Sequence, residues 1–181
     1  MTPNLSTLSI ILGLGLALPH AYGVVNPSGF CTALRKFPRS LPWGFALVLL
    51  GTIWFVRNLS QESISDFESL KPILYGVFVL VGIGSCIYVQ DFLAVRGIAI
   101  VMLILAKLML DAARWNESPW SILIKIWAYC WVIGGIWFTV SPWRMRDLLN
   151  WHTATVQRAR LLCAIRLAFG LLVFFLGLKA F

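Results

Sequence analysis

The sequence predicts an all-α protein: a polytopic helical membrane bundle with six transmembrane helices and an amphipathic helix on the cytoplasmic side. Three observations predict it. Of 181 residues, 60% are hydrophobic and only 12% are charged, against roughly 45–50% and roughly 25% in soluble domains. The mean hydropathy of +0.85 exceeds what a soluble fold of this length can enclose. The apolar residues also gather into runs close to the roughly 20 residues that one bilayer crossing takes. At that length per crossing the chain holds about five to seven spans. That leaves no room within it for a soluble catalytic domain or a nucleic-acid module, so 1–181 reads as a single integral membrane domain.

The first span is expected over 5–25. Its leading residues Met1-Thr2-Pro3-Asn4 carry no basic side chain, and Pro19-His20 precedes only a poor cleavage site at Ala21. A retained span therefore fits better than a signal peptide. Ser9, Gly13, Ala17 and Ala21 recur every fourth residue, a small-residue face that lets another helix approach closely. The second span, 41–56, opens on Pro42-Trp43. Between it and the third, Ser60 to Leu70 is rich in Ser and acid and spaces Ile64, Phe67 and Leu70 at three residues, as a short interfacial helix would. The run 73–110 is almost unbroken, yet as one helix it would be about 57 Å long, nearly twice the hydrocarbon core. Gln90-Asp91 is its one polar pair near the middle. Spans over 73–89 and 92–110 are expected, with Asp91 capping a helix that starts at Phe92.

The fifth span, 120–140, follows Ser118-Pro119-Trp120, and Ser141-Pro142-Trp143 repeats that signal. Serine caps a helix, proline tolerates its first turn, and tryptophan prefers the headgroup level. Over 143–160, Met145, Leu148, Leu149, His152, Val156 and Ala159 share one side at 100° per residue. Arg146, Asp147, Asn150, Thr153, Gln157 and Arg158 share the other. This reads as the basic amphipathic helix on the membrane surface, before a last span over 161–178.

The formal net charge is +8. With the cations confined to connections and helix ends, membrane topology and anionic headgroups account for it better than nucleic acid does. If the N-terminus is outside, Arg35, Lys36, Arg39, Arg96, Arg144, Arg146, Arg158, Arg160 and Arg166 lie inside, against six Lys and Arg outside. The expectation is both termini outside, in a bacterial cytoplasmic membrane. Cys31, Cys86, Cys130 and Cys163 are scattered without a C-x-x-C pair, so neither disulfides nor a cysteine metal site is expected.

Candidate site residues come first from the fourth span. Arg96, Lys107, Asp111 and Arg114 fall at about 0°, 20°, 60° and 0° around one helix, and Lys107 and Asp111 are spaced to pair. Interface anchoring with a structural ion pair is the expected role. The alternative is a polar groove for an anionic headgroup, a quinone-like ligand or a partner helix. Lys125 and Arg166 lie near expected helix starts and are read as snorkelling, with Arg166 also placed to help hold a lipid phosphate. His20 and His152 are the only histidines. Both fall toward the cytoplasmic side, where they can meet, and they are weak candidates for a metal or haem. Trp120, Trp127, Trp131 and Phe138 form an aromatic stripe on the fifth span, read as packing rather than as a carotenoid or quinone surface. No metal or cofactor is expected, with quinone, carotenoid and haem left open.

The sequence has no nucleotide-binding glycine loop, G-x-S-x-G or H-E-x-x-H, and Asp91, Asp111 and Asp147 stand apart, so no catalytic set is legible. The function expected is a non-catalytic scaffold or accessory subunit of a larger membrane assembly. Its partners would be membrane lipids with anionic headgroups and other membrane subunits or further copies, not nucleic acid. A small transporter or channel using the fourth-span stripe is the alternative, and a lipid- or quinone-interacting enzyme comes third.

Overall fold

The computed structural model describes residues 4–61 and 65–181. Among the described residues eight α-helices follow in order: α1 (Leu5–Val25), α2 (Pro27–Lys36), α3 (Leu41–Gln61), α4 (Lys71–Tyr88), α5 (Leu93–Ala113), α6 (Ser121–Val140), α7 (Trp143–His152) and α8 (Val156–Lys179). Tighter 3-10 turns cover Phe37–Arg39 and Ser65–Leu70. There is no strand among the described residues. The chain is all-helical, and six helical stretches are long and apolar enough to cross a membrane: Leu5–Val25, Leu41–Gln61, Glu68–Tyr88, Leu93–Ala113, Ser121–Val140 and Val156–Lys179.

Local chemistry explains the breaks. Asn4 caps α1 by accepting from the Ser6 amide. Asn26 ends α1 and starts α2, because its side-chain oxygen accepts from the Gly29 amide and the Ser28 hydroxyl, both at 3.1 Å. Pro27 follows at the first helical position, where its missing N–H removes no helical bond. Of the helix expected over Ser60 to Leu70, Ser60 and Gln61 belong to the end of α3 and Ser65–Leu70 form a 3-10 turn, while Ile64 and the Phe67 side chain lie outside the described residues. The break between α4 and α5 falls at Gln90-Asp91 as expected, but α5 starts at Leu93. Phe92 turns the chain with φ 55°, a left-handed conformation that costs a bulky residue on the order of 1–3 kcal/mol. Its carbonyl accepts from the amides of Val95 at 2.9 Å and Arg96 at 3.1 Å.

The amphipathic segment expected over 143–160 is divided. α7 stops at His152, and Thr155 caps α8 by accepting from the Arg158 amide at 3.2 Å. Capping outweighs periodicity here: a threonine hydroxyl satisfies an end amide that a continuous helix would have spent internally. A consequence is that Arg166 lies ten residues into α8, about 15 Å from its start, and not within two turns of it.

The chain divides into two compact units, 1–36 with 105–133 and 146–181, and 37–104 with 134–145. In the first unit α1 runs antiparallel to α8. A Cβ built on Gly13 would come 2.6 Å from the Phe174 amide nitrogen, and one on Gly170 would come 2.9 Å from the Ala17 nitrogen. The Ser6 hydroxyl donates to the Gly177 carbonyl at 2.6 Å. Leu5, Leu8, Leu12, Met109, Ile124 and Val173 form the core of this unit. In the second unit, Val48, Cys86 and Leu93 form a small core. There Gly44 and Gly97 let α3 and α5 approach, and α3 also packs on α4.

Candidate functional site

The first unit brings together the two histidines, and the seam between α1 and α8 does it. Gly13 lies against Phe174 and Gly170, Ala17 against Gly170, and Gly23 against Cys163. In that antiparallel register, His20 falls opposite positions 166–167. On α8, Ala159, Cys163, Gly170, Val173 and Gly177 are buried, and Arg166 is the charged residue at the remaining position of their alternating three- and four-residue spacing.

His20 is 8% exposed. Its Nδ1 sits 2.8 Å from the Leu16 carbonyl, so that nitrogen carries a proton and donates, leaving Nε2 outside that bond. The Phe30 ring packs 5.8 Å from it. His152, the last residue of α7, is 4% exposed, and neither of its ring nitrogens has a hydrogen-bond partner among the described residues. Burial holds the His152 pKa below its ordinary value, and the nearby Arg166 charge, with His20 when protonated, pushes it the same way. The next residue is clamped. Arg35 of α2 donates from Nε to the Thr153 hydroxyl at 2.8 Å and from Nη2 to the Thr153 carbonyl at 2.6 Å. The Thr153 hydroxyl in turn donates to the Leu149 carbonyl at 2.8 Å. This fork holds the end of α7, and with it His152, against α2.

Arg35 and Thr153 were not expected as parts of a site. One signal pointing there was in the sequence. No Asp or Glu occurs from 1 to 61, and none after Asp147, so α1, α2 and α8 carry their cations without a single carboxylate.

The other expected residues are placed as follows. Lys107 and Asp111 form the anticipated ion pair at 2.9 Å, with side chains 51% and 33% exposed. The pair therefore lies at the surface of its unit. Arg96 is partly buried with its Nε unpartnered, and Arg114 falls in the turn beyond α5. Lys125 sits one turn into α6. The aromatic stripe separates. Trp127 packs edge-on against Trp131 at 5.3 Å and Phe169 at 5.2 Å, whereas Trp120 is exposed before α6 and Phe138 stacks on Trp137. Ser9, Gly13 and Ala17 are buried, and Gly13 and Ala17 meet α8 within the chain, while Ala21 is half-buried.

No family model, curated protein or solved structure matches this chain.

Proposed function

We propose that this chain is a multi-pass integral membrane protein acting as a non-catalytic scaffold or accessory subunit of a larger membrane assembly, in a bacterial cytoplasmic membrane with both termini outside. Six helices of sufficient length and apolarity support the membrane reading. So do their outward residues, which include Ile11, Leu18, Ile53, Leu80, Ile133 and Leu172. In water, so much exposed apolar surface would drive association. The excess of Lys and Arg on the inner connections supports the orientation.

The observation that carries the scaffold reading is on α4. Glycines in this chain are mostly filled: a Cβ on Gly13, Gly44, Gly97, Gly135 or Gly170 would meet a neighbour at 2.9 Å or less. At Gly76 and Gly84 it would meet nothing within 4 Å. Both line one shallow groove of about 570 Å³ on α4, with Leu80 between them and Tyr75 and Tyr88 at its ends. A helical glycine costs about 1 kcal/mol relative to alanine, and in an apolar helix its use is to admit another backbone. Two such notches on one unoccupied face fit the flank of a partner transmembrane helix.

The full-length protein, released in mild detergent and weighed by native mass spectrometry, is expected as a complex with another membrane subunit or a second copy. Filling both notches (Gly76→Leu with Gly84→Leu) is expected to release the monomer. A wild-type chain that is monomeric with no co-purifying protein overturns the reading.

A further inference from the structure

We propose that His152, His20 and Arg166 form a binding site for the phosphate group of an anionic lipid headgroup. The inference stands apart from the scaffold reading, since it concerns the other unit and a different ligand.

The site holds unpartnered polar atoms. Buried polar groups in folded proteins are nearly always hydrogen-bonded, and leaving one unsatisfied costs about 1–3 kcal/mol. His152 has two such atoms, both ring nitrogens, in a side chain that is 4% exposed. His20, whose Nε2 is left over when Nδ1 bonds the Leu16 carbonyl, lies close enough to His152 to act on it electrostatically. Arg166 makes no hydrogen bond or ion pair among the described residues, while Arg35 and Arg158 are occupied by Thr153 and Trp151.

The sign of a ligand that fits follows from charge. A cation would sit beside the Arg166 guanidinium, and no group of three or more His, Cys, Asp or Glu able to hold a metal occurs among the described residues. An anion is attracted instead. Of α1, α2, α7 and α8, only α7 carries a carboxylate, Asp147, and it is paired with Arg146 at 2.9 Å. An external oxyanion can take a forked pair of bonds from arginine and another from an imidazole N–H. A headgroup hydroxyl beside the phosphate can donate to the unprotonated imidazole nitrogen.

Position favours a lipid as the source. Arg158 and Arg160 mark the polar end of α8, and Arg166 lies about 9 Å further along the axis than Arg160. An arginine can reach back over most of that distance to the headgroup level. Basic recesses between helices near the membrane surface suit anionic phospholipids. His152 ends α7, at the point where the Arg35 fork holds the adjoining Thr153.

The test uses the full-length protein in phosphatidylcholine nanodiscs with a minor fraction of phosphatidylglycerol. Native mass spectrometry of lipid retained after release is expected to show roughly tenfold enrichment of phosphatidylglycerol, equivalent to about 1.4 kcal/mol. Arg166→Gln should abolish the enrichment and His152→Gln should reduce it several-fold. Arg144→Gln, a basic position outside the site, should leave it unchanged. In the wild-type protein, the ring ¹⁵N signals of His152 should move on adding phosphatidylglycerol and stay fixed with phosphatidylcholine alone, a readout that needs no variant. Enrichment that survives Arg166→Gln, or His152 signals that ignore the anionic lipid, overturns the proposal. Saturable movement of the same signals by inorganic phosphate, in discs of phosphatidylcholine alone, overturns the lipid assignment and gives the site to free phosphate.

Discussion

His152 is a poor place to put a proton, because its ring is buried and lies within reach of the Arg166 charge, with a smaller push from His20 when that ring is protonated. With its pKa below the ordinary value near 6.5, the folded state resists protonation that the unfolded chain accepts. As pH falls through that ordinary value, the unfolded state binds more protons than the native one. The His152 contribution to stability is therefore intact above about pH 7 and declines toward the lowered folded-state pKa. Thermal unfolding followed by tryptophan fluorescence, without anionic lipid, is expected to show the midpoint falling between about pH 7 and pH 5. His152→Gln should flatten that slope. An identical slope in both proteins would show that His152 does not titrate on unfolding. That the only two histidines could meet was legible in the sequence, since both fall toward one side in a six-span topology. That both His152 nitrogens lack partners was not legible, because it depends on what α2, α7 and α8 place around them.

Among the elements, the pair α1 and α8 is held by approach distance. Gly13→Leu forces a side chain against the Phe174 and Gly170 backbones, which cannot yield as a side-chain tip can, and overpacking of this kind costs about 1–3 kcal/mol. Gly15, two residues on, has nothing within 4 Å of a built Cβ, so Gly15→Leu should stay within about 0.5 kcal/mol of wild type. Melting curves of the two variants are expected to separate by several degrees; equal midpoints would show that the seam does not carry stability. The small residues of α1 announced a close approach, yet nothing in them named α8. The opposing Gly170 and Gly177 are spaced by seven in a stretch whose other residues are mostly large and apolar, and only the antiparallel register joins the two series. The segment after α6 gives the converse lesson. A periodic apolar face ran through 143–160, but a cap at Thr155 outweighed it and set the helix boundary that places Arg166 deep in α8.

For the whole molecule, the proposed topology makes a direct prediction. Single cysteines are placed at Thr2, Asp147 or Ala180 in a chain with its native cysteines replaced. An impermeant maleimide added to intact cells should label the first and third, and the second only after lysis. Termini on opposite sides would overturn an even number of crossings. Both termini shielded would reverse the orientation.

Composition and order along the chain determined the all-helical character, the six apolar stretches and most of their starts. These follow from local physics: an apolar run of sufficient length satisfies its own backbone as a helix, while Ser, Asn and Pro mark where helices begin. What only the tertiary structure decided is which faces meet. An apolar face turned to lipid and one turned to another helix have the same composition, so sequence cannot separate the filled notch at Gly13 from the open one at Gly84. The clustering of His20, His152, Arg35 and Arg166 arises from the same cause. It joins residues from both ends of the chain through one antiparallel register, and a register is a property of two helices together.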